Sequence, residues 1–155
     1  MEYKAITILV PNRKKLFVTL EIQIGVPFPI DGYPQEKRTV AVNSNALIDT
    51  GATGSCISRR FASSARLKPF MMGQVRGAHG IAIVPIYTVD VLLPNYIWFN
   101  DMEVSEFYGN EDFDFIIGMN ILRMGDMALT NAKEQTVFSF RIPPAETHID
   151  FIKIQ

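Results

Sequence analysis

Leu16, Val18, Leu20, Ile22 and Ile24 alternate with Phe17, Thr19, Glu21 and Gln23. A period of two sorts these sets onto opposite faces of an extended chain, which is the signature of a strand. The pattern recurs. Tyr3 to Val10 is similar, and Pro11-Asn12-Arg13-Lys14 reads as a hairpin turn joining the two. Tyr87, Val89, Val91 and Leu93 alternate, and Ile97 to Val104 reads as another strand. Thr39 to Val42 and Ala46 to Ile48 supply further strand material. Asp126 to Thr130 and Thr136 to Ile142 make a closing pair around a polar turn. Met71 to Ile83 is apolar at its ends, and Gly73, Gly77 and Gly80 permit the sharp backbone of a hairpin. Three prolines, two glycines and several charges mark residues 25–38 as a surface loop. Helix fits only Ser58 to Leu67, capped by Ser58 and stopped before Pro69, with another turn or two at Asn120 to Met124. Many short strands with so little helix predict an all-β fold, a barrel or closed sheet.

A chain of 155 residues suits one domain, and 48% apolar residues suffice for a core. A net charge of −1 gives no basis for binding nucleic acid or an anionic membrane. The basic runs Arg13-Lys14-Lys15 and Arg59-Arg60 read as solvated faces. Cys56 is the only cysteine, so no internal disulfide forms. With His79 and His148 the only histidines, neither a thiol nucleophile with a base nor a zinc site is expected. No metal and no cofactor are expected. No apolar run reaches about 18 residues and the first residues do not form a signal peptide, so a soluble, cytoplasmic protein is expected.

Two motifs stand out: Leu-Ile-Asp-Thr-Gly-Ala-Thr at Leu47 to Thr53, and Phe-Ile-Ile-Gly-Met-Asn-Ile-Leu at Phe115 to Leu122. The glycine-rich hairpin lies between them. In this order they resemble the aspartic proteases, specifically the short retroviral-type (retropepsin-like) enzymes with one Asp-Thr-Gly per chain. The resemblance covers about Leu16 to Ile142. It implies a closed, barrel-like acid-protease fold of the single-lobe type over residues 1–142, with residues 143–155 as a tail that can add an interface strand. The final segments look more like retropepsin-like proteins of bacteria and mobile elements than like a viral enzyme.

What the resemblance implies for the site is specific. Asp49 is the catalytic carboxylate. Thr50 and Gly51 hold it, Ile117 and Gly118 pack behind it, and Gly51, Ala52 and Thr53 line the cleft floor. Gly77, Ala78, His79 and Gly80 form the tip of a flap over an extended polypeptide substrate, with Arg76 and His79 facing either substrate or solvent. Two carboxylates sharing one proton serve as base and acid together. The chain has no second Asp-Thr-Gly or Asp-Ser-Gly. A homodimer is therefore expected, with two Asp49 residues meeting on its two-fold axis.

The sequence also departs from the retroviral pattern. Thr53 and Gly54 stand where acidic residues are usual, and Met119 stands where Arg is usual. Both members of that ion pair are missing together, so no charge is stranded. The departures leave room for an alternative: the same fold holding peptides, or serving assembly, without cutting. Asp112 and Asp114 read as a solvated acidic turn rather than a second catalytic carboxylate.

Overall fold

The computed structural model describes residues 2–10, 18–27, 39–77, 80–109 and 112–152. Ten strands dominate: β1 (Lys4–Leu9), β2 (Thr19–Pro27), β3 (Thr39–Ile48), β4 (Cys56–Ser58), β5 (Met71–Gly77), β6 (Gly80–Leu93), β7 (Ile97–Phe107), β8 (Phe115–Ile117), β9 (Asp126–Ala132) and β10 (Gln135–Ile142). Two short helices interrupt them, α1 (Arg59–Ser64) and α2 (Met119–Leu122). No described helix is long and apolar enough to cross a membrane.

β2, β3, β8, β4, β7 and β6 follow one another edge to edge, and β6 pairs back onto β2. The all-β expectation holds, and the closure gives a six-stranded barrel. Its seam is short, with Gln23, Ile24 and Gly25 facing Leu92, Val91 and Asp90. β6 pairs with β7 along one edge, where the register slips between Val89 and Val91, and with β5 and then β2 along the other. A bulge of this kind bends a strand. The first half of β6 pairs with β5 in a hairpin that projects from the barrel, and the second half closes the wall.

Inward residues of these strands make the core. Ile24, Ala46, Ile57, Val89, Val91, Phe115 and Ile117 are fully buried. Removing such a side chain from water contributes about 1.5–3 kcal/mol each for the larger ones. α1 covers one end of the barrel with Phe61 and Ala62. The Ser58 hydroxyl accepts the Phe61 N–H at 3.0 Å and starts this helix as the sequence predicts.

Two sequence expectations need correction. β1 does not form a hairpin with β2. It pairs antiparallel with β10, and β10 pairs with β9, in a separate three-stranded sheet. Phe140 and Phe138 on β10 offer Ile6 and Ile8 apolar cross-strand neighbours. The proposed turn at Pro11 to Lys14 lies outside the described residues. The loop of residues 25–38 starts later than expected: β2 continues through Gly25, Val26 and Pro27, paired to Ala41, Val40 and Thr39. Gly25 is buried at the barrel seam, so glycine here serves close strand approach rather than a loop. The described part of the tail, residues 143–152, forms no strand.

Candidate active site

β3 carries the chain to the middle of the barrel, where β8 lies parallel to it with Ile48 beside Ile117. The Asp49 N–H donates to the Ile117 carbonyl at 3.0 Å, continuing that pairing by one residue. The chain then turns sharply, and the Ala52 N–H donates to the Asp49 carbonyl at 3.3 Å. The turn aims the Gly51 N–H at Asp49 Oδ1, 2.8 Å away. A Cβ on Gly51 would sit 3.2 Å from that oxygen, so glycine keeps the donor close without crowding the carboxylate. The side chain of Asp49 is half-buried, and its other oxygen has no hydrogen-bond partner among the described residues.

The second motif clamps this turn from behind. The Met119 N–H donates to Ala52 O at 2.8 Å, and the Asn120 N–H to Thr53 O at 3.1 Å. A Cβ on Gly118 would lie 2.5 Å from Gly54 O and 2.9 Å from Ala52 O. The Asp49 turn thus rests directly on the Gly118 backbone. Ile117 is fully buried beneath it.

A side-chain bridge reinforces the clamp. Ser55 Oγ donates to Asn120 Oδ1 at 2.7 Å and accepts the Gly118 N–H at 3.1 Å. Ser55 is 1% exposed. Neither Ser55 nor Asn120 stood out in the sequence, because nothing in a separation of 65 residues pairs them. Their only signal is position, one residue beyond Gly54 and two beyond Gly118.

The other expected site residues are placed with less company. Thr50 and Thr53 are exposed and Ala52 is half-buried. The Thr50 side chain has no hydrogen-bond partner among the described residues. Gly77 pairs with Gly80 at the end of the β5–β6 hairpin. Ala78 and His79 lie outside the described residues. No hydrogen bond joins this hairpin to the Asp49 turn among the described residues.

Cys56 lies half-buried beside the site, its Sγ 3.2 Å from Ser105 Oγ. Burial pushes its thiol pKa up and the nearby Asp49 charge adds to this, while the Ser105 hydrogen bond opposes them. A thiol held protonated is a poor nucleophile.

Arg59 and Arg60 are not simply solvated. The Arg59 Nε donates to Glu106 Oε1 at 2.7 Å, and Tyr87 Oη donates to Glu106 Oε2 at 2.7 Å. Arg60 and the Ser58 hydroxyl both donate to Asp114. These carboxylates pin α1 to β7 and to the approach of β8. Asp114 is thus a structural anchor, which explains its place before the Phe115 strand.

Among the described residues no cluster of three or more His, Cys, Asp or Glu is placed to hold a metal ion. A cavity of about 740 Å³ opens elsewhere, between Glu21, Gln23, Asn43, Tyr96 and Asp112. It contains none of the expected site residues.

A single-lobe barrel with an Asp-Thr-Gly turn seated on the glycine of an Ile-Ile-Gly strand end is the retropepsin type of aspartic protease fold. Residues 40–124 match the family model described as "gag-polyprotein putative aspartyl protease". That is more than half of the chain, and the chain belongs to this family. Among solved structures, it is similar to a retropepsin-like aspartic protease from Rickettsia conorii, at 16% identity and a TM-score of 0.56, with 90% of this chain and 94% of that one covered. It is also similar to the protease of simian foamy virus (mac), at 17% identity and a TM-score of 0.43, covering 69% and 93%. The retroviral protease-like domain of Ddi1 from Leishmania major aligns at 21% identity and a TM-score of 0.41, covering 77% and 93%. The search of curated proteins found no match.

Proposed function

We propose that this chain is an aspartic endopeptidase that works as a homodimer on an extended polypeptide. The observation that carries the proposal is the seating of Asp49: one oxygen is fixed by the Gly51 N–H, and the turn is clamped by Ala52 and Thr53 onto the Gly118 strand end. A carboxylate held this firmly with its second oxygen uncommitted suits a shared-proton pair. As in aspartic protease dyads generally, two carboxylates about 3 Å apart retain one proton between them. The ionised one removes a proton from water as the water attacks the scissile carbonyl carbon. The protonated one gives its proton to the carbonyl oxygen. Collapse of the tetrahedral adduct transfers a proton to the leaving nitrogen and restores the shared proton. The macroscopic titrations belong to the pair.

Because the chain supplies one such Asp, the second comes from a second copy. The substrate lies as an added strand between the β5–β6 flap and the floor at Gly51, Ala52 and Thr53, with its side chains alternating between pockets. Residues 1–142 constitute the protease domain on this reading. A single cysteine without a disulfide partner suits a cytoplasmic setting.

The test is cleavage of an unfolded polypeptide by the purified protein across acidic to neutral pH, beside Asp49→Asn. The variant should keep its fold and its dimer and lose about 10²–10⁴-fold or more in rate. Equal cleavage by both proteins rules out the mechanism. Peptide binding that survives Asp49→Asn, with no turnover in either protein, assigns the fold to peptide capture instead.

A further inference from the structure

We infer that the cleft of this chain takes acidic polypeptide. The preferred segment carries carboxylates toward both ends and apolar side chains between them, and this assignment of a substrate class rests on the protease reading above.

Charge is spread very unevenly along the sequence. From Thr50 to Val89 there is no Asp and no Glu, while Arg59, Arg60, Arg66, Lys68 and Arg76 all lie there. The other residues hold all sixteen acids and only ten cations. The net charge of −1 therefore conceals a positive stretch set against a negative remainder. On the protease reading the positive stretch is the one that bounds the cleft. It supplies the floor that follows Asp49, and both strands of the flap from Met71 to Ile86.

Two of the five cations are neutralised within the fold. Arg59 lies 2.7 Å from Glu106 and Arg60 lies 2.9 Å from Asp114. Arg66, Lys68 and Arg76 are exposed, and none of them makes an ion pair among the described residues. The shared-proton pair at Asp49 carries one negative charge, which by itself repels an acidic segment. The unpaired cations of each chain outnumber it. At physiological ionic strength a charge acts over about 8 Å, so they draw in carboxylates before any side chain touches.

The spacing of the cations describes the ligand. Lys68 stands just before β5 and Arg76 stands near its far end, eight residues on. At about 3.3 Å per residue they are at most about 26 Å apart. Between them Phe70, Met71 and Met72 are 51%, 50% and 55% exposed. Met71 and Met72 alternate onto opposite faces of β5, so one of them faces the cleft whichever face is inward. β5 ends its sheet, and β6 is its only strand neighbour among the described residues. An extended segment laid along β5 meets a cation, an apolar run and a second cation in that order.

Other polyanions suit this surface less well. Strong binding to DNA neutralises about six to ten phosphates, and polybasic attachment to membranes uses clusters of about four to eight cations. Three cations divided by an apolar run match separated carboxylates on a strand better than a continuous row of phosphates.

Fluorescence anisotropy on full-length Asp49→Asn tests this without turnover. The probes are two labelled peptides of about ten residues with the same apolar centre, one flanked by glutamates and one by lysines. The glutamate peptide should bind at least about tenfold more tightly in dilute buffer, and the gap should close at about 0.5 M salt. Adding Lys68→Glu with Arg76→Glu should invert the preference, and Lys68→Gln with Arg76→Gln should erase it. Lys133→Glu, at the β9–β10 turn, also adds negative charge and should leave the preference unchanged. Equal or absent binding of both peptides overturns the proposal, as does a preference that survives the charge reversal or is moved as far by Lys133→Glu. Phosphatidylserine vesicles or single-stranded DNA that bind through Lys68 and Arg76 while the peptides are not told apart overturn it too. Cleavage of both peptides by the parent separates this result from the protease reading. Turnover without an acidic preference sinks only the substrate class, and an acidic preference without turnover sinks only the protease.

Discussion

Gly118 supports the Asp49 turn through its missing side chain: a Cβ on it would stand 2.5 Å from the carbonyl oxygen of Gly54. The obstructing atom is backbone, so it cannot swing aside. Gly118→Ala must push the Asp49 turn off the β8 strand end. Overpacking of this kind costs about 1–3 kcal/mol. Denaturant titration should show that loss, and peptide cleavage should fall further than the stability loss explains because Asp49 moves with the turn.

Ser55→Ala should act on the same turn more gently. It leaves the buried Gly118 N–H without its acceptor and Asn120 Oδ1 without its donor. An unsatisfied buried group costs about 1–3 kcal/mol. Since both residues share one hydrogen-bond network, Ser55→Ala and Asn120→Ala should be strongly non-additive in a double-mutant cycle. Additive losses would mean that the bridge does not work as a unit.

Tyr87 makes a prediction at high pH. Its hydroxyl is pushed up to about 12, first by burial, then by donation to Glu106 and by the Glu106 charge, with Arg59 opposing. An unfolded tyrosine titrates near 10. The raised folded value means that the folded chain keeps this proton more tightly than the unfolded chain does. The contribution is therefore whole below about pH 10 and is lost as pH rises toward 12. Thermal melts of the parent should fall across that window, and Tyr87→Phe should flatten the fall. An unchanged slope in Tyr87→Phe would assign the alkaline loss to other groups.

Glu106 and Arg59 should not be equivalent partners. The Glu106 side chain is 7% exposed and that of Arg59 is 60% exposed. Glu106→Ala strands the Tyr87 hydroxyl in the barrel wall and should cost about 1–3 kcal/mol. Arg59→Ala removes a solvated partner and should cost much less than Glu106→Ala, with the difference from the parent shrinking at high salt. Chemical denaturation at two ionic strengths separates the two cases.

Much of the site was legible because it is local. Asp49, Thr50 and Gly51 lie within one turn, and the Gly51 N–H reaches Asp49 Oδ1 across two residues. Phe115-Ile116-Ile117-Gly118 is likewise a strand and its stop, recognisable without knowing what it packs against. The Ser55–Asn120 bridge was not legible, since serine and asparagine occur in any loop and it is the pairing of β4 with β8 that sets Ser55 beside the second motif. Arg59, Arg60 and Asp114 read as solvated charges because their partners sit 47 and 54 residues away.

Strand pairing shows the same division. Alternation marked as extended the segments that hold β1 (Lys4–Leu9) and the first part of β2 (Thr19–Pro27), and the neighbouring turn signal then suggested a hairpin. The tertiary structure gives β1 to β10 and β2 to β3 and β6. Side-chain period is a property of one strand alone, so most extended segments could be read from the chain, as could the Asp-Thr-Gly turn that follows one of them, whereas β4 (Cys56–Ser58) is too short to show a period. Register and partner depend on which apolar faces can be buried together, a condition satisfied only when the whole barrel closes. That Gly118 and Ser55 underpin Asp49, and that β1 lies beside β10 rather than β2, follows from the folded arrangement alone.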